Sequence, residues 1–73
     1  MDRETRKHTK FIHEGKYAAE VDIEFHYSDK SWPPTMSADD AKKLEVVRFA
    51  LRRGDLAEAG KYARLFEMKP VAV

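Results

Sequence analysis

YAAEVDIEFHY, residues 17–27, alternates apolar and polar side chains without a break. A period of two marks a strand with one buried face. Tyr17, Ala19, Val21, Ile23, Phe25 and Tyr27 share the face expected to meet a core. Ala18, Glu20, Asp22, Glu24 and His26 share the other face, expected to be wet. Just upstream, KFIH is followed by the pair Glu14-Gly15. Glycine reaches the positive φ of a tight turn, which predicts a hairpin with its first strand near 9–13. The densely charged opening, MDRETRKH, is expected to be a flexible arm over 1–8, ahead of one small domain over 9–73.

Working downstream, the two prolines in SDKSWPPTM, residues 28–36, predict a loop. Trp32 is expected to fold back over the edge of the core, its indole N–H on a polar partner. Ser37 has the character of a helix N-cap, with Asp39 and Asp40 at the positive end of the helix. That helix should run to about Arg53, where Arg52 and Arg53 suit the negative end and Gly54 suits a left-handed stop. Asp55, with Glu58 three residues on, predicts a second helix reaching to about Glu67. Pro70 forbids its continuation, and PVAV, residues 70–73, could add a short third strand. The expected fold is α+β, in the order β-β-α-α-(β). A small antiparallel hairpin sheet packs on a helical hairpin.

On a helical wheel Leu44, Val47 and Leu51 form the core face of the first helix, widened by Val46 and Ala50. Leu56, Ala59, Tyr62, Ala63 and Phe66 do so on the second. Phe49 and Leu65 fall off these faces and become candidates for a partner surface.

Composition narrows the function. Seventy-three residues with fourteen basic and thirteen acidic side chains carry a formal net charge of +1. That balance gives no global drive toward nucleic acid or anionic lipid. No cysteine is present, so disulfides and thiolate metal sites are excluded. A chain of this size buries only about 60% of its unfolded surface, and small unstapled domains often gain stability by oligomerising. No apolar run has the length of a membrane span, and no secretory signal is expected. A cytoplasmic protein is the expectation.

Candidate sites follow from the charged clusters. Glu20, Asp22 and Glu24 form a comb of carboxylates on one strand face. Such a comb keeps a face soluble and can meet a basic protein, including the arginines of a second copy. It lacks the dry concave setting that catalysis requires, so no enzyme, catalytic residue or cofactor is expected. His13 and His26 show no close metal-ligand spacing, and no metal site is expected. Arg-Gly-Asp at 53–55 reads as a helix stop followed by a cap, not as an adhesion motif. Arg6, Lys7 and Lys10, with Arg48, Arg52 and Arg53 on the first helix, could contact phosphates. A strand followed by two helices invites comparison with ribbon-helix-helix repressors, but there the acidic comb would face the phosphates.

His-Glu-Gly-Lys-Tyr, the Trp-Pro loop, Ser-Ala-Asp-Asp-Ala-Lys-Lys-Leu and Ala-Leu-Arg-Arg-Gly-Asp-Leu, ending in Pro-Val-Ala, resemble a family of short uncharacterised bacterial proteins over residues 13–73. The resemblance implies a bacterial, cytoplasmic, stand-alone domain and transfers no catalytic residue. The leading expectation is a non-enzymatic protein-protein interaction module that self-associates as a homodimer. Glu20, Asp22, Glu24, Phe49 and Leu65 are its candidate contacts, and an unknown protein is a further partner. The alternative is a nucleic-acid-associated regulator of the antitoxin type.

Overall fold

The computed structural model describes residues 4–28 and 33–72. Its elements run β1 (Glu4–Glu14), β2 (Tyr17–Tyr27), β3 (Thr35–Met36), α1 (Ala38–Arg53), α2 (Leu56–Ala59) and β4 (Arg64–Glu67). The fold is α+β, as the sequence predicts. All four strands form one antiparallel sheet with β2 at its centre.

β1 pairs with β2 from Glu14↔Tyr17 to Glu4↔Tyr27, leaving a two-residue turn of Gly15 and Lys16. Gly15 has φ +60° and Lys16 has no positive φ, the pattern of a type II′ hairpin turn with glycine first. The His13 ring Nε2 donates to the Gly15 carbonyl at 2.7 Å across this turn. The other edge of β2 is shared. β4 pairs with residues 17–20 and β3 with residues 25–26.

The gap between β3 and β4 is closed by side chains of α1. The Glu24 N–H donates to Asp40 Oδ2 at 2.9 Å, and Lys43 Nζ donates to the Asp22 carbonyl at 2.6 Å. Asp40 and Lys43 also pair with each other at 3.6 Å. Two side chains one helical turn apart thus substitute for the missing strand.

α1 begins where expected. Ser37 accepts from the Asp40 N–H at 3.1 Å, and Gly54 closes the helix at φ 72°. It lies across the apolar face of β2, burying Val47, Ala50 and Leu51 against Ile12, Ala19, Val21 and Ile23. Leu44, Phe25 and Met36 pack at the margins of this cluster.

Three expectations are corrected. The flexible arm and the strand start near residue 9 give way to a strand from Glu4 onward; residues 1–3 lie outside the described residues. β2 runs to Tyr27 and offers a backbone partner to every residue back to Glu4, so pairing extends a segment whose own pattern is polar. The second helix ends at Ala59 instead of near Glu67. Gly60 is a poor helix residue, and the following RLFE gains a ladder on the open edge of β2. The last strand is therefore residues 64–67; residues 70–72 of PVAV form no strand, and Val73 lies outside the described residues. Trp32 also lies outside them.

The result is thin and long. The radius of gyration is 14.9 Å, with extents of 50 × 31 × 15 Å. A compact chain of this length would have about 11 Å. In β1 only Ile12 is buried.

Candidate functional site

The helices cover one face of the sheet, and the opposite face carries the residues of interest. Register places Thr5, Lys7, Thr9, Phe11 and His13 of β1 on this open face. Beside them are Ala18, Glu20, Asp22, Glu24 and His26 of β2, with Arg64 and Phe66 of β4 on the far side.

The carboxylate comb is closed by the chain itself. Arg64 forms a two-pronged pair with Asp22, Nη1 to Oδ2 at 3.0 Å and Nη2 to Oδ1 at 2.9 Å. Its Nε donates to Glu20 Oε1 at 3.1 Å, and the Thr9 hydroxyl donates to Asp22 Oδ1 at 3.1 Å. Planar guanidinium and planar carboxylate match in this geometry. The hydrogen bonds from Arg64, then that from Thr9, hold the Asp22 carboxyl down from an ordinary 3.8 to about 2. Hydrogen bonds to Asp22, then to Glu20, push Arg64 further up.

Because the folded pKa is depressed, Asp22 contributes stability above its unfolded value. That contribution is lost as pH falls through about 2. In an NMR titration Asp22 should titrate near 2 in the wild type and move back toward 3.8 in Arg64→Ala. An unmoved Asp22 in that variant would show that Arg64 does not hold it in solution.

The end of the face nearest the hairpin turn is apolar. Ala18 is fully buried although it points away from the helices. Its cross-strand neighbours are His13 and Phe66, with Phe11 one pair further along. Phe11 is 57% exposed, and Phe66 and Met68 are 45% exposed. The Met68 N–H donates to the Lys16 carbonyl at 2.6 Å, which continues the β4 register and keeps Met68 on the face of Phe66.

The candidate residues fall in separate places. Glu20, Asp22 and Glu24 lie on the open face. Phe49 is exposed on the outer side of α1 beside Val46 and Glu58, with the Arg52 guanidinium 5.7 Å from its ring centre. Leu65, expected on the surface, is half-buried against the core. As a strand residue opposite Ala19 it faces the core, while Phe66, expected inside, turns out.

The basic residues do not converge. Arg52 and Arg48 reach Glu14 at 3.0 and 3.8 Å, and Arg53 reaches Asp55 at 3.7 Å. Arg6 pairs with Glu4 at 3.0 Å and stacks 5.0 Å from the Tyr27 ring centre. Lys7 and Lys10 are exposed on opposite faces of β1. His13 and His26 sit at opposite ends of the open face, and no three metal-ligating side chains gather among the described residues. No helix among these residues is long and apolar enough to cross a membrane.

Sequence reasoning missed Phe11, Phe66, Met68 and Arg64. Phe11 was within reach, since a two-residue turn fixes its face. The other three required knowing that 64–67 is a strand. Comparison with protein-family models, with curated proteins and with solved structures gave no match.

Proposed function

We propose that this chain is a non-enzymatic protein-binding module that docks through the open face of its sheet, in the bacterial cytoplasm. The observation that carries the reading is the exposed apolar group of Phe11, Phe66 and Met68 beside Ala18, on the sheet face opposite α1. Contiguous exposed apolar side chains bordered by polar ones are the mark of a protein contact. Glu20, Asp22 and Arg64 supply that border. With two of its three carboxylates engaged by Arg64, the comb is better suited to fixing orientation at a protein surface than to proton transfer. Phe49 offers a smaller contact on the opposite side.

The test is a tagged pull-down from a bacterial lysate, with and without nuclease, comparing wild type with Phe11→Ser and Phe66→Ser. A stoichiometric protein that survives nuclease and is lost with either variant is expected. Partners that vanish with nuclease and ignore both variants would favour the nucleic-acid regulator. The cations of β1, Arg6, Lys7 and Lys10, would then be the next positions to change.

A further inference from the structure

We propose that the open face is closed by a second copy of this chain, packed sheet to sheet about a two-fold axis running along β2. The inference rests on the protein-binding reading above and names its partner.

Size is the first argument. The exposed parts of Phe11, Phe66 and Met68 amount to roughly 300 Å², too little for a stable interface of about 800 Å² per partner. The whole sheet face, up to eleven residues long and three strands wide, has an outline on the order of 500 Å². A partner that closes it must itself be broad and flat. A single helix or strand would leave much of it wet, whereas the same face on a second molecule matches it. Stacking two sheets about 10 Å apart would also convert two thin, one-sided cores into one four-layer body.

The layout of the face selects the axis. An axis across the strands would set the apolar end of one copy on the polar end of the other. An axis along β2 keeps the apolar ends together and lays β1 over the partner's β4. Ala18 lies at the axis, with Phe11 and His13 on one flank and Arg64 and Phe66 on the other. Rotation brings Phe11 toward the partner's Arg64 and His13 toward the partner's Phe66. Cation–aromatic and aromatic–aromatic contacts result.

Charge is the third argument. Residues on β2 would approach their own equivalents, so bare carboxylates there would repel. Aligned sheets cross at about 30°, which separates opposed strands progressively from the crossing point. Glu24, about 20 Å along the strand from Ala18, would be carried aside toward water. Glu20 and Asp22 stay near the crossing, and these are the two carboxylates that Arg64 engages, which halves their charge. The same pairing weakens any attraction to a basic partner.

Sedimentation equilibrium of the full chain between 1 and ~200 µM tests this, with circular dichroism confirming that each variant is folded. A wild-type dimer is expected. Phe11→Ser and Phe66→Ser should weaken it at least about tenfold, about 1.4 kcal/mol, Phe11→Leu should weaken it less than Phe11→Ser, and Val71→Ser, at an exposed position outside the face, should leave it intact. Arg64→Ala should also weaken it, and adding Glu20→Gln with Asp22→Asn should recover part of the loss. A dimer indifferent to both serine variants would overturn the inference, as would a wild type monomeric at the highest concentration. A monomer whose lysate partner is lost with Phe11→Ser would leave the binding-module reading standing; one whose partners ignore that change would end both.

Discussion

Ile23→Ala should cost about 2–5 kcal/mol, the range for removing a large buried aliphatic side chain and leaving a cavity. Ile23 is 2% exposed and is one of the three largest fully buried side chains, with Val21 and Val47. It stands in the middle of β2, beneath α1 and beside the gap that Asp40 and Lys43 close, so no neighbouring strand can shift inward to fill the space. A chain of this length has roughly 4–11 kcal/mol of stability in total. The substitution should therefore lower the melting temperature by about 10–30 °C and sharply lower the urea midpoint. Val71→Ala, at a position 84% exposed, is the control and should leave both unchanged within error. A loss under ~1 kcal/mol at Ile23 would mean that the core is looser than the close contact of β2 and α1 implies.

The contrast between Ile23 and Leu65 shows what the sequence could reveal. Ile23 lies in an eleven-residue alternation, and no other regular element explains that pattern. Its strand, its face and its burial are all legible locally. Leu65 lies in a segment with two consistent readings. Leu56, Ala59, Tyr62, Ala63 and Phe66 make a helical stripe, whereas the apolar pair Leu65-Phe66 between Arg64 and Glu67 also fits a short strand with neither face marked. The choice between them is made elsewhere in the chain, by the unpaired edge of β2 at residues 17–20. A strand there satisfies backbone groups, seats Leu65 on the core and delivers Arg64 to Glu20 and Asp22. Gly60 weakens the helical reading without selecting the strand, and the edge that selects it lies far upstream, so the exchange of faces between Leu65 and Phe66 was not readable.

The start of β1 is a second case. ETRKHT has no apolar face, and local composition argues for a mobile arm. It is a strand because β2 is longer than the core beneath it. The open face inherits both errors. Its β2 carboxylates were visible from the alternation, while the residues that complete it on β1 and β4 depended on long-range pairing.

Asp40→Ala should destabilise the protein by about 1–3 kcal/mol and release the Glu24 amide to hydrogen exchange. From the sequence Asp40 is a first-turn acid that complements the helix dipole, an effect of about 0.3–1 kcal/mol. The structure gives it a second role. Its carboxylate accepts from the Glu24 N–H at 2.9 Å, with its side chain only 20% exposed, and it holds Lys43 over the Asp22 carbonyl. Removing it leaves one backbone donor of the central strand without an acceptor and frees the cation that covers a neighbouring carbonyl. The lower end of the range applies if water enters the gap between β3 and β4, the upper end if the edge stays dry. Asp40→Asn keeps an oxygen for the Glu24 N–H but loses the charge for Lys43, so it should cost less than Asp40→Ala. Lys43→Met tests the other half. If the two side chains act as one unit, the double variant will cost clearly less than the sum of the singles. Strict additivity, with unchanged exchange at Glu24, would reduce Asp40 to a dipole effect and leave the centre of β2 held by packing alone. A non-additive result would show that a helix can complete a sheet edge with two side chains. That closure matters for the open face as well, because Asp22 and Glu24 offer their backbones to the α1 side chains while their carboxylates stand on the surface proposed for binding.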